Sequence, residues 1–599
     1  MKSKFTTLLL IWVIASVSAP LRCQTLLTNI EARNFMSLDG RWEIIIDPFN
    51  GGAGNWKPIW KDQHGVGKSD FYEYQFDQGI TLHVPGDWNS QESNLLYYEG
   101  TLWYKRTFTY QKKEAKKAFL YFGGANYCVD VYLNNEKLGS HEGGFTPFQF
   151  EVTGKIKDGE NSLIVRVNNQ RSEDAIPALH FDWWNYGGIT RDVYLAETPS
   201  SFILDYFIQL KRNNASEIQG WVELGGAAAS HKKITIKIFE LNINYSTQTA
   251  EGGKAMVSFA AQPVLWSPEN PKLYDVLIAA ETDSVHEQIG FRTIAVKGTD
   301  ILLNGKPIFL RGINIHEEIP QRAGRAYSET DAQMLLGWAK ELGCNFVRLT
   351  HYPHNEHMVR LADKLGILLW EEIPLWQGIQ FSNPIILNKA NTLLDEMIAR
   401  DKNRCAIILW SLSNETSPAE SRDQTLIRMA AHARTLDPTR LITSAFNHLR
   451  YEKNQVTIDD SLSKSLDVVG VNEYIGWYGQ WPAKPEDMLW KCPFNKPLIM
   501  SEFGAEALYG NHGSPDTASS WSEEYQQQVY KDQLVMLKKI PFLRGTTPWI
   551  LADFRSPGRL HPIYQQGWNR KGLLSDQGLK KKAWYVIHDY YKQLQLEHP

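Results

Sequence analysis

Residues 406–415 read AIILWSLSNE and residues 496–502 read KPLIMSE. In each, an apolar run the length of a buried strand stops on a carboxylate, Glu415 in the first and Glu502 in the second. A strand covered on both faces reads as a continuous apolar run, as in parallel sheets wrapped by helices. Working outward, IFLRGI (308–313), NFVRLT (345–350), ILLWEE (367–372), LITSA (441–445), DVVGV (467–471) and TTPWIL (546–551) bring such runs to eight. Helical stretches such as TDAQMLLGWAKELG (330–343), TLLDEMIARD (392–401) and EEYQQQVYKDQLVMLKK (523–539) lie between them. Eight strand–helix units predict a (β/α)8 barrel over residues 298–599, closed by a last helix in KKAWYVIHDYYKQLQ (581–595). The Lys580–Lys582 run reads as the solvated start of that helix.

Upstream the pattern is all-β. Runs such as AFLYFGGA (118–125), CVDVYL (128–133) and NSLIVRV (161–167), separated by turn residues, predict a β-sandwich over residues 24–199. KITIKIFE (233–240) and LYDVLIAA (273–280) continue it into a second, immunoglobulin-like sandwich over 200–297. The chain of 599 residues is therefore read as a multidomain α and β protein with two sandwiches ahead of a barrel. Its start, MKSKFTTLLLIWVIASVSA, pairs Lys2 and Lys4 with an apolar stretch too short to span a bilayer, so residues 1–23 are expected to be an export signal to the periplasm or exterior. Arg22 is a poor fit to the small residue that precedes a lipidated cysteine, which argues against an anchor on Cys23. No later segment is apolar enough to span a membrane.

The formal net charge of -4 supplies no overall positive field for nucleic acid. Aromatic residues make up 12%, including 21 Trp and 26 Tyr, which suits sugar binding because aromatic faces pack on pyranose rings. The five cysteines (23, 128, 344, 405 and 492) form no CxxC pair and are read as free thiols. His351, His354 and His357 match no metal-binding spacing around Pro353, so neither a metal nor a cofactor is expected.

Barrel enzymes keep their active sites at the C-terminal ends of the strands, which puts Glu415 at the end of strand four and Glu502 at the end of strand seven on one face. Paired rim carboxylates are what glycoside hydrolysis requires, with about 5 to 5.5 Å between them in retaining enzymes. Asn414 beside Glu415 and Tyr474 at the end of strand six would support them.

The segments WSLSNE (410–415) and MSEFG (500–504) resemble the two signatures of glycoside hydrolase family 2. SLDGRWE (37–43), VPGDWNSQ (84–91), GTLWYKRTF (100–108), DWWNYGGITRDVYL (182–195), NGKPIFLRGINIHEE (304–318) and VRLTHYPH (347–354) are similar to it in the family's order. The resemblance implies a jelly-roll-like sugar-binding sandwich, an immunoglobulin-like sandwich and the barrel. It implies Glu415 as a protonated acid/base and Glu502 as an ionised nucleophile. It further implies that Asn414 bonds the sugar 2-hydroxyl, that Tyr474 donates to Glu502, and that Trp549 floors the pocket. His316, His351 and Asp182 would line the innermost subsite. Self-association into homo-oligomers is common in the family, although no segment here identifies an interface.

The substrate rests on DFRSPGRLHPIYQQGWNRKGLL (553–574), rich in Arg and Lys on the catalytic face. Asn569, Arg570 and Lys571 resemble the Asn-x-Lys motif with which β-glucuronidases of this family hold a uronate carboxylate. Against it, Ile475 stands where well-known glucuronidases tend to have a second Tyr. The expected partner is a glycoside or oligosaccharide ending in β-D-glucuronic acid; a β-galactosidase with the same machinery is the runner-up. A carbohydrate-binding protein without catalysis is a remote third reading, since it predicts the loss of one of the two carboxylates.

Overall fold

The computed structural model describes residues 25–54, 58–63, 67, 75–76, 79–114, 116–226 and 229–597. The export signal expected over 1–23, and Cys23 with it, lie outside them. The other four cysteines are free.

The first sandwich packs a six-stranded antiparallel sheet, centred on Thr101–Tyr110 and Gly159–Asn168, on a four-stranded one running Asn34–Ser37, Val193–Pro199, Lys116–Phe122 and Phe148–Glu151. Between the sheets lie Trp42, Phe122, Phe148, Val165 and Val193, all fully buried. After Gly159–Asn168 the chain leaves the six-stranded sheet and enters the four-stranded one only at Val193; residues 169–192 form an excursion toward the barrel. Arg191 anchors it: its guanidinium, 3% exposed, donates to Glu317 at 3.1 Å and to the Pro353 carbonyl at 2.5 Å. A buried charge is tolerable only when paired in this way.

The second sandwich has three strands (Ser201–Leu210, Glu217–Gly226, Lys254–Ala260) facing four (Lys233–Ile238, Ile243–Gln248, Tyr274–Ala279, Ser284–Ile289). Burial alternates along Glu217–Gly226, as one covered face requires.

The barrel is closed and its strands pair in parallel: β1 Leu310–His316, β2 Phe346–Thr350, β3 Leu368–Glu372, β4 Ile407–Asn414, β5 Leu441–Phe446, β6 Val469–Asn472, β7 Leu498–Glu502 and β8 Leu543–Thr546. Around it run α1 Glu329–Glu341, α2 Glu356–Leu365, α3 Ile385–Asp401, α4 Glu420–Leu436, α5 Glu523–Leu537 and α6 Lys582–Glu597. Ser328 opens α1 with a capping box to Asp331.

Three details differ from the sequence reading. In place of full helices, the β5–β6 and β6–β7 crossovers carry the 3-10 turns Ser461–Ser465 and Pro485–Asp487 and the short strands Arg450–Glu452, Gln455–Thr457 and Leu489–Lys491, which pair into a small sheet. The eighth strand ends where TTPWIL begins, so Trp549 and Ile550 run on past the strand, into the barrel mouth. Lys581 is not a solvated helix start: it is fully buried, and its ammonium donates to Asp553 Oδ1 at 2.7 Å and to the Ala507 and Arg570 carbonyls. Its flanks behave as expected, Lys580 pairing with Glu341 and Lys582 with Glu524. Among the described residues no helix is long and apolar enough to cross a membrane.

Candidate active site

The C-terminal ends of β3, β4, β6 and β7, the run after β8 and the excursion of the first sandwich surround a cavity of about 700 Å³. Glu415 and Glu502 both line it. β7 delivers Glu502 as its last residue. Glu415 follows β4 in the left-handed region, with φ 53°, its amide hydrogen-bonded to the Ala445 carbonyl at 2.9 Å. A residue with a side chain adopts that conformation at a cost of roughly 1–2 kcal/mol, a strain that concentrates at functional positions.

Arg348, fully buried in the middle of β2, links the parts. Its Nη1 donates to Glu502 Oε1 at 2.9 Å; its Nη2 donates to Glu372 Oε1 at 2.9 Å and to Asn414 Oδ1 at 2.7 Å. Glu372 also meets His351 Nδ1 at 2.7 Å. The Tyr474 hydroxyl donates to Glu502 Oε2 at 2.7 Å. Glu415 receives Asn472 Nδ2 on Oε1 and Gln377 Nε2 on Oε2, each at 2.8 Å. Asn472 Nδ2 also reaches Asn414 Oδ1 at 3.1 Å, so one continuous polar network joins the two carboxylates.

Burial pushes the Glu502 carboxyl up to about 8, and the neighbouring charge of Glu415 pushes the same way against Arg348 and Tyr474. Burial thus works against the ionised Glu502 that the family resemblance implies. The physical reason is that its main cation, Arg348, is shared with Glu372 and offsets only part of the desolvation. Glu473, also on the wall, is raised to about 7 by burial.

The other end of the cavity is built from the loop after β8 and the first sandwich. Lys571 Nζ lies 2.7 Å from the Tyr478 hydroxyl and 3.1 Å from Glu506 Oε1, with lysine and glutamate side chains each 1% exposed. Arg559 forks onto Asp182 at 2.8 and 3.1 Å and reaches Glu506 at 3.4 Å. Burial opposes the charge on Lys571, and Glu506, Tyr478 and Asp182 together more than offset it. Burial likewise opposes the charge on Asp182, which Arg559 then holds below the usual carboxylate range.

Of the residues singled out from sequence, Glu415, Glu502, Asp182, His351, Tyr474, Trp549 and Lys571 line the cavity. Trp549 stacks on His351, with centroids 4.9 Å apart and planes at 17°. Asn414, His316 and Asn569 stand just behind the wall. Asn414 Nδ2 has no hydrogen-bond partner, His316 Nδ1 faces the Tyr352 hydroxyl at 3.1 Å, and Asn569 Nδ2 holds Asp182 Oδ2 at 3.0 Å. Sequence reasoning missed Arg348, Glu372, Asn472, Gln377, Tyr478 and Glu506. A signal existed for two: Glu372 ends an apolar strand as Glu415 and Glu502 do, and Arg348 interrupts one. Among the described residues no cluster able to hold a metal occurs.

A barrel whose strand ends gather carboxylates beside aromatic rings and polar donors defines a glycoside hydrolase site. Comparison with known proteins agrees: the profile "Glycosyl hydrolases family 2, TIM barrel domain" matches residues 294–595, the family's sugar binding domain matches 35–199, and its remaining domain 201–292. The chain belongs to glycoside hydrolase family 2. The chain is 28% identical over 621 residues to the β-glucuronidase of Rattus norvegicus, covering 94% of this chain and 91% of that one. Its fold is similar to a Bifidobacterium dentium β-glucuronidase complexed with coumarin-3-O-glucuronide (TM-score 0.81, 25% identity, 94% and 97% of the two chains). It is also similar to an Eisenbergiella tayi β-galacturonidase bound to galacturonate (TM-score 0.78, 25% identity, 94% and 98%).

Proposed function

We propose that the protein is an exported, retaining exo-β-glycosidase that removes terminal β-D-glucuronic acid. Glu502 attacks the anomeric carbon while Glu415 gives its proton to the departing glycosidic oxygen; water, deprotonated by Glu415, then cleaves the glycosyl ester and releases the sugar with its configuration retained. Attack requires Glu502 ionised, which Arg348 and the Tyr474 hydroxyl favour against burial. Asn414 Nδ2, the unpartnered donor behind the pair, is assigned to the sugar 2-hydroxyl.

One observation carries the uronate assignment: the cavity holding the two glutamates also holds the Lys571 ammonium and the Arg559 guanidinium, fixed by Glu506 and Asp182. A uronate carboxylate entering there meets two oriented cations. Galacturonide is the second reading, favoured by the likeness to a galacturonidase; it differs from glucuronide only at C4, which these cations do not read. A neutral galactoside offers Lys571 only hydroxyl acceptors, without the charge of a carboxylate.

A panel of nitrophenyl β-glycosides tests the reading. Glucuronide hydrolysis is expected to exceed galacturonide, galactoside, glucoside and mannoside hydrolysis. Lys571→Ala is expected to cut activity on glucuronide at least about tenfold more than on galactoside, the loss of one charge-assisted contact. Equal losses, or activity on galactoside alone, would reject the uronate assignment.

A further inference from the structure

Beside the candidate active site lies a second cavity of about 770 Å³, built by the first sandwich and one short stretch of the barrel. Its walls include Tyr97, Glu99, Leu179, Trp184 and Asn185, with Pro557 from the loop after β8. His180, Phe181 and Gly558 line both cavities. Two of these shared residues are the chain neighbours of Asp182 and Arg559, whose ion pair belongs to the catalytic cavity, so residues of two loops separate the cavities.

The lining suits a sugar ring. Tyr97 is 79% exposed and meets the Trp184 ring edge-on, with centroids 5.6 Å apart; Trp184 is pinned by its indole N–H to the Leu96 carbonyl at 3.1 Å. An exposed ring held by a fixed one presents an apolar face at little entropic cost. The partition is held as firmly, because the Arg171 guanidinium sits 3.9 Å over the Tyr127 ring and 5.4 Å from that of Phe181. Glu99 takes a hydrogen bond from Asn185 Nδ2 at 3.1 Å and leaves further acceptor capacity. Arg171 and Glu99 are opposite in charge, so the cavity has no net sign with which to select an acid. We propose that this cavity is a second sugar subsite, taking a neutral ring of the same glycan that carries the terminal uronic acid, reached around the shared rim of the two cavities rather than through the wall between them. The proposal rests on the uronidase reading and deepens it: the substrate is an oligosaccharide of mixed neutral and acidic sugars rather than a small conjugate.

The test compares Tyr97→Ala and Leu179→Ala with the unaltered full chain on 4-nitrophenyl β-D-glucuronide and on a set of oligosaccharides, linear and branched, in which β-glucuronic acid is linked to neutral sugars. Neither residue lines the catalytic cavity, and both side chains are exposed, so the variants are expected to fold with unchanged melting temperature. Tyr97→Ala is expected to raise KM roughly tenfold on at least one oligosaccharide, the size of one lost aromatic stack, with kcat/KM on the aryl glucuronide unchanged. Leu179→Ala is expected to act in the same direction, more weakly. Both substrates falling equally, or no oligosaccharide responding, would overturn the subsite. Failure of the unaltered protein to cleave the aryl glucuronide would instead reject the underlying reading.

Discussion

The two ends of the catalytic cavity are built in opposite ways. At one end Glu415 and Glu502 sit on β4 and β7, held by Arg348, Tyr474, Asn472 and Gln377. Three of those four donors come from barrel strands or the residues just beyond them; Gln377, from the loop after β3, is the exception. At the other end Lys571 and Arg559 hang on irregular segments after β8 and are fixed by Asp182, which belongs to another domain, and by Glu506, which follows β7. The first end carries carboxylates short of cations, the second cations matched by carboxylates. Rigid strands suit a pair whose spacing decides the chemistry; a loop cluster with its own counter-ions suits a contact that decides which sugar is held.

The largest expected effect breaks the first end alone. Glu502→Gln is expected to lower kcat on the aryl glucuronide by at least about 10³-fold, because covalent catalysis is lost, while the Gln amide oxygen still accepts from Arg348 and its NH2 faces the Tyr474 hydroxyl. The same variant carries a signature in stability. With the folded carboxyl raised to about 8 against an ordinary value of 4.5, the unfolded chain gives up this proton first as pH rises, so the wild-type fold loses stability between those limits. The variant is therefore expected to melt above the wild type at pH 8, with the gap closing below about pH 4.5. A gap that is the same at both pH values would show that Glu502 does not titrate in this way.

At the second end, Glu506→Gln leaves Lys571 buried with one counter-charge fewer and is expected to cost about 3 kcal/mol in stability, read as a lower melting temperature. Because a uronate can supply the missing charge, glucuronate is expected to raise the melting temperature of this variant more than that of the wild type, while galactose leaves it unchanged. Equal protection of both proteins by glucuronate would detach Glu506 from the carboxylate contact.

The same contrast explains what the sequence discloses. Glu415, Glu502 and Tyr474 are legible because a barrel turns the end of an apolar run into a place on the rim. Applied consistently, that rule also finds Glu372. Arg348 is harder to place, since a lone arginine in an apolar strand reports only that partners exist, not which ones. Glu506 and Tyr478 carry no periodic pattern, and their meeting with Lys571 is set by loop geometry. Lys581 misleads for the converse reason: a lysine triplet reads as solvated, yet the fold buries its middle member on Asp553. The two crossovers without full helices show that strand count is fixed by closure of the barrel, whereas its outer layer tolerates short 3-10 turns.

The claim on which all of this depends is that Glu502 forms a bond to the sugar. Incubation with a 2-deoxy-2-fluoro-glucuronyl fluoride, followed by intact mass and peptide mapping, measures it directly. The account predicts one glycosyl adduct per chain, carried by the peptide containing Glu502 and absent from Glu502→Gln; an adduct on another residue, or inverted product with no adduct, would contradict it.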